Sequence, residues 1–151
     1  MIFALVRHAD AGKRGSQPDA ERALTARGLA QAGALVKQLA ALKLERILSS
    51  PYVRCRQTVE PLAAARGLRV EAAEVLAEGH GPRELMALMT ELAPAGAALC
   101  SHGDVIGGLV NVLQDLRLIR RDQASLAKAS SWLLDIREGE IAGARYLPPP
   151  G

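Results

Sequence analysis

Ile2-Phe3-Ala4-Leu5-Val6 runs directly into Arg7-His8-Ala9-Asp10. An unbroken apolar run of this length suits a strand covered on both faces, as in the middle of a parallel sheet. The change to polar residues at Arg7 marks the carboxyl end of that strand. Ala97-Ala98-Leu99-Cys100 repeats the pattern and gives way to Ser101-His102-Gly103. A shorter strand, Arg46-Ile47-Leu48-Ser49, leads to Ser50-Pro51 and then Arg54.

Between these strands the apolar spacing turns helical. Thr25 can cap a helix whose stripe is Leu29, Ala32, Val36 and Leu39, with Gln31, Lys37 and Gln38 facing out. Ser50-Pro51 reads as a second helix start, serine as cap and proline at the first position. Cys55, Val59 and Leu62 would line its buried side, and Gly67 would close it. A weak strand is expected near residues 68–71 and a loop over 74–81. Pro82 then opens a helix with Leu85, Leu88, Met89 and Leu92 on one face. A helix from about Asp104 turns Val105, Ile106, Leu109, Val110 and Leu113 inward. Residues 131–136 and 141–146 read as a closing hairpin around Glu138-Gly139-Glu140. Residues 7–24 hold no periodicity and read as a long loop. The expected fold is an α/β three-layer sandwich, a mostly parallel central sheet with helices on both faces. It occupies residues 1–147 as one domain, with 148–151 as a flexible tail.

Composition narrows the function classes. Hydrophobic residues make up 49% of the 151 and charged residues 23%, as in ordinary globular proteins. Aromatics are only 3%, so the base-stacking platforms of a single-strand nucleic-acid binder are missing. A net charge of +3 and a pI near 9.2 suit an acidic small substrate as well as any other anion. Cys55 and Cys100 make neither a disulfide framework nor a zinc site, and are expected reduced and buried. The first residues lack the basic start and cleavage site of a signal peptide. No apolar run approaches the ~18 residues of a membrane span. The expected location is the cytoplasm, with neither membrane nor nucleic acid as partner.

Ligands of open α/β sheets bind beyond the carboxyl ends of the strands. The residues leaving the strands there are Arg7 and His8, then Ser50 and Arg54, then His102 and Gly103. Two histidines and two arginines on one sheet edge suit phosphoryl transfer, which is mostly positioning and charge stabilisation of three equatorial oxygens. Arginine offers a planar fork of charge-assisted donors. A neutral imidazole can attack phosphorus and split one hard step into two. Lys13 and Arg14 could recognise a second anionic group. One competing reading is a metallohydrolase using His8, Asp10, His80 and His102, although no metal-ligand spacing supports it. Another is a non-catalytic phosphoanion-binding module.

The motifs extend beyond these residues. Arg7-His8, Leu24-Thr25 through Gly28 with Gln31-Ala32, Ser49-Ser50-Pro51 through Arg54 with Gln57-Thr58, and Ser101-His102-Gly103 occur in this order. Together they resemble the histidine phosphatase superfamily, also called phosphoglycerate-mutase-like, with Ala9 where glycine is commoner. The resemblance implies His8 as nucleophile, a phosphate pocket of Arg7, Arg54, His102 and Gly103, and no cofactor or metal. It implies an acid after the third strand as proton donor, a place that Glu78 fits, with Glu74 and Glu84 nearby. The segment after His8 is not the mutase form. The chain looks more like the small SixA-type phosphohistidine phosphatases, and is also similar to the phosphatase domain fused to Nudix hydrolases in some actinobacteria. The implied substrate is a phosphorylated small molecule, a phosphohistidine protein or a nucleotide-type phosphate.

Overall fold

The computed structural model describes residues 1–151. The strands are β1 (Ile2–Arg7), β2 (Arg46–Ser49), β3 (Val70–Ala72), β4 (Ala97–Ser101), β5 (Ser131–Arg137) and β6 (Glu140–Leu147). The helices are α1 (Ala26–Gln38), α2 (Val53–Arg66), α3 (Pro82–Leu92) and α4 (Gly103–Asp115). The strands form a single sheet in the order β3-β2-β4-β1-β5-β6. β1 to β4 run parallel, and the closing hairpin β5–β6 joins antiparallel to β1.

Alternation along each central strand divides the core. Phe3, Leu5 and Leu99 face α3 and α4, where Leu85, Met89, Ile106 and Leu109 complete one apolar layer. Ala4, Val6, Ala98 and Cys100 face α1 and α2, where Leu35, Leu39, Val59 and Leu62 complete the other. Helices therefore cover both faces, as expected of strands apolar throughout. Gly67 ends α2 in the left-handed conformation, with φ 66°, where a side chain would be strained.

Three local expectations are corrected. The buried stripe of α1 is Gly28, Ala32 and Leu35, while Leu29 is 53% exposed and Val36 only half-buried. The helix is rolled because Gly28 presses on the loop after β1: a Cβ there would overlap the carbonyl oxygen of Asp10. Gln31 consequently turns inward and accepts a hydrogen bond from the Asp10 N–H at 2.9 Å. Lastly, Tyr52 occupies the cap position of α2, not Ser50, and Pro51 precedes the helix. The Ser50 hydroxyl is engaged elsewhere, 2.8 Å from the His102 ring. Thr25 does cap α1, accepting from the Gly28 N–H at 3.1 Å. The expected tail begins at Pro148, whose carbonyl accepts from Gln38.

Register sets the functional edge. Arg7 pairs with Ser101 and Ser49 with Cys100, so three parallel strands end level. His8, Ser50 and His102 thus emerge side by side from adjacent strands.

Candidate active site

The polypeptide immediately after β1 is held by side chains from both neighbouring helices. The Ala9 N–H donates to Thr58 Oγ1 at 2.9 Å, the Asp10 N–H to Gln31, and the Leu24 N–H to Gln57 Oε1 at 2.8 Å. The glutamines and threonine of the sequence motifs thus hold the loop in place. They satisfy backbone donors of a loop that has no strand partner.

His8 sits at the centre, 6% exposed. Its Nδ1 lies 2.9 Å from the Ala9 carbonyl oxygen. A carbonyl only accepts, so Nδ1 carries the proton and Nε2 keeps its lone pair. Burial, countered in part by that carbonyl, then the charges of Arg54, His102 and Arg7, pull its pKa down to about 4. The imidazole is neutral at pH 7.

The two arginines flank it differently. Arg7 donates from Nη1 to the Leu126 carbonyl at 2.6 Å. That loop is itself fixed by the few aromatics of the chain: the Trp132 indole N–H donates to the Ser125 carbonyl and the Ala127 N–H to the Tyr146 hydroxyl. Gly103 makes room, because a Cβ there would stand 3.1 Å from the Arg7 guanidinium carbon. Arg54, 1% exposed, lies 4.9 Å over the Tyr52 ring. The Nε atoms of both arginines are buried without a hydrogen-bond partner. Both arginines line the same cleft as the imidazole, so their positive charge favours an anion there.

His102 completes the group, its ring 5.6 Å from that of His8 and edge-on to Tyr52 at 4.7 Å. One ring nitrogen, Nε2, meets Ser50 Oγ, which also accepts from the Tyr52 N–H. The other, Nδ1, faces Arg54 Nη2 at 3.5 Å and Glu78 Oε1 at 3.4 Å. Glu78 Oε1 also accepts from Arg54 Nη2 at 2.5 Å. A carboxyl oxygen thus stands at the mouth, in contact with two members of the group.

These side chains line an open cleft of ≈ 560 Å³ with a single hydrophobic lining residue, Leu126. Of the residues expected at the site, the cleft gathers Arg7, His8, Arg54, Glu78, His102 and Gly103. Arg14 is not among its lining residues; its side chain is 77% exposed and reaches only Asp19, at 3.6 Å. His80 pairs with Glu84 at 2.6 Å, outside the cleft. Asp10 accepts from the Thr25 hydroxyl and meets Lys128, so the four metallohydrolase residues are not brought together. No three His, Cys, Asp or Glu residues are grouped as metal ligands. Arg22, Asp104 and Lys128 line the cleft without having been singled out from sequence. They lie in loops or at a helix start, and only their proximity in space relates them. Cys55 and Cys100 are free and buried, as expected, with Cys55 Sγ 3.5 Å from His102 Nε2. No helix is long and apolar enough to cross a membrane.

A family model described as the histidine phosphatase superfamily (branch 1) matches residues 3–93. An 8-oxo-(d)GTP phosphatase of Mycolicibacterium smegmatis is 35% identical over 97% of this chain and 48% of its own length. The chain thus spans about half of that curated relative. Among solved structures, SixA from Agrobacterium tumefaciens superposes with a TM-score of 0.81 at 20% identity, covering 98% of both chains. A protein histidine phosphatase SixA complexed with tungstate superposes with a TM-score of 0.78 at 21% identity, covering 99% of this chain and 96% of that one. The fold is that of the SixA and phosphoglycerate-mutase-like proteins, and the chain belongs to the histidine phosphatase superfamily, branch 1.

Proposed function

We propose that the protein hydrolyses a phosphomonoester or a protein phosphohistidine through a covalent phosphohistidine on His8. The observation that carries this reading is a buried, neutral imidazole with a free Nε2, set between two guanidinium groups whose Nε–H donors lack partners. In the first step Nε2 attacks phosphorus and the bond to the leaving group breaks. Arg7, Arg54 and His102 stabilise the three equatorial oxygens. Glu78 gives a proton to a leaving alkoxide. In the second step water attacks phosphorus, the Nε2–P bond breaks, and Glu78 takes the water's proton as inorganic phosphate forms. Every part of this scheme is an amino-acid side chain, so turnover is expected to survive a chelator.

A second reading concerns the substrate. The 35% identical relative is an 8-oxo-(d)GTP phosphatase, which favours a nucleotide-type phosphate over a protein.

The test is turnover of p-nitrophenyl phosphate, a phosphohistidine protein, and nucleotide and sugar phosphates, with chelator, by wild type and His8→Ala. Wild type is expected to turn over at least one substrate and to trap labelled phosphate on quenching. His8→Ala is expected to lose at least about a thousandfold and to trap none. A folded His8→Ala protein with substantial activity would sink the mechanism. Binding of phosphate without any turnover would favour the non-catalytic module.

A further inference from the structure

Arg54 owes its orientation to a residue that lies outside the sequence motifs. Its Nη1 donates to the main-chain carbonyl of Asp19 at 2.9 Å, and its Nη2 donates to Asp19 Oδ2 at 3.1 Å. One residue therefore grips both terminal nitrogens. The other carboxylate oxygen, Oδ1, accepts from Arg22 Nε at 3.1 Å. Arg22 in turn ties Nη1 to the Gly12 carbonyl, so the turn carrying Asp19 is braced against its own loop. Burial pushes the Asp19 carboxyl up, but the Arg54 charge and hydrogen bonds from Arg54 and Arg22 outweigh it and hold the group below the usual carboxylate range. Asp19 does not line the cleft. It grips the guanidinium from outside the space a phosphate would occupy.

A planar guanidinium held at both terminal nitrogens has little freedom to roll. What remains is the buried Nε–H, the second Nη1–H, and the Nη2–H now given to Glu78. We propose that Asp19 is a positioning residue for phosphoryl transfer: by holding both terminal nitrogens of the Arg54 guanidinium, it fixes the orientation in which Arg54 meets the equatorial oxygens of the reacting phosphoryl group. The proposal rests on the phosphatase reading above. It carries a particular signature. A carboxylate beside Arg54 weakens the pull of the cleft on any anion, yet fixes the geometry that matters in the transition state. Removing it lowers turnover without lowering ground-state affinity.

The experiment compares Asp19→Ala and Asp19→Asn with wild type on p-nitrophenyl phosphate. It reads kcat, KM, the melting temperature, and inhibition by inorganic phosphate and by vanadate, a five-coordinate mimic. For Asp19→Ala, kcat is expected to fall about tenfold to a hundredfold, the scale of a misplaced catalytic group. Vanadate inhibition weakens by a similar factor, while phosphate inhibition stays level or tightens. Asp19→Asn keeps an acceptor for Nη2 and falls between. It is isosteric, and carries the test alone if the alanine variant does not fold. A purely structural role would lower kcat with the folded fraction and leave the ratio of vanadate to phosphate inhibition unchanged. An unchanged ratio in a folded variant, or a rise in KM alone, overturns the proposal. If wild type itself turns over nothing and binds no vanadate, the phosphatase reading falls and this proposal with it. If wild type is active and the variants match its ratio, only this proposal falls.

Discussion

The floor of the cleft and its rim are built on different terms. On the floor, His8, Arg54 and His102 are 6%, 1% and 2% exposed, and they leave strand ends or the first turn of a helix. Each has a fixed partner: a main-chain carbonyl for His8, Asp19 for Arg54, a serine hydroxyl for His102. On the rim, Glu78, Asp104 and Lys128 are exposed, and Arg22 is half-buried. The lesson is a division of labour. Phosphoryl transfer needs donors already aimed, so its parts sit on rigid elements. On the proposed reading, choice of leaving group and substrate falls to loops, which change without disturbing the sheet.

Glu78 tests where the boundary lies, because it is an exposed residue in contact with two buried ones. If it serves as the acid, Glu78→Gln slows hydrolysis of an alkyl phosphate about a hundredfold. The loss on p-nitrophenyl phosphate, whose leaving group needs little protonation, stays within about threefold. Equal losses on both substrates would instead make Glu78 part of the floor, acting through its hold on Arg54. Comparing kcat for the two esters decides between these.

The division also explains what could be read from sequence. β1, β4 and their outgoing residues were legible because each apolar run stops abruptly at the chemistry. That pattern put His8 and His102 at the functional edge, and the resemblance supplied their roles. Arg54 was legible through its spacing after β2. The rim was not. Arg22 and Lys128 stand in aperiodic loops, and the β1–α1 loop takes its path from Gln31, Gln57 and Thr58 on two different helices. Asp19 was invisible for the same reason, since its contact with Arg54 spans 35 positions. Ser50 was misread as a helix cap because propensity sees the Ser-Pro pair and not the imidazole it faces. The roll of α1 was misread because the contact of Gly28 with the Asp10 carbonyl is tertiary, and periodicity alone offered Leu29 as readily.

A buried neutral histidine has a cost that appears on acidification. The pKa of His8 in the folded chain is about 4, below the 6.5 of a free imidazole. Between these values the unfolded chain binds a proton that the folded one does not. Stability therefore rises with pH across this window: the contribution is whole above pH 6.5 and is lost as pH falls towards 4. From pH 7 to pH 4.5, wild type should lose about 2 kcal/mol more than His8→Gln. Each pH step of one within the window is worth about 1.4 kcal/mol, reduced here for partial solvent access. Urea unfolding of both proteins at the two pH values gives the difference, in which the carboxylates elsewhere cancel. Identical losses would mean that His8 is solvated, and that the floor is not dry.

Arg14 should show the smallest effect, and it sharpens the comparison from the rim side. From sequence it was a candidate for a second anionic group on the substrate. In the fold its side chain is 77% exposed, 3.6 Å from a carboxylate that Arg22 and Arg54 already satisfy. An exposed pair of this kind is worth little. Arg14→Ala should leave kcat and KM for p-nitrophenyl phosphate within about twofold, since the Asp19 grip on Arg54 does not depend on it. For a substrate with a second negative charge, a selective rise in KM would return Arg14 to the recognition surface. That change should weaken as salt is raised, because a charge so exposed acts through solvent. A fall in kcat instead would mean that Arg14 acts through Asp19, and that the floor extends one residue further into the loop than its contacts indicate.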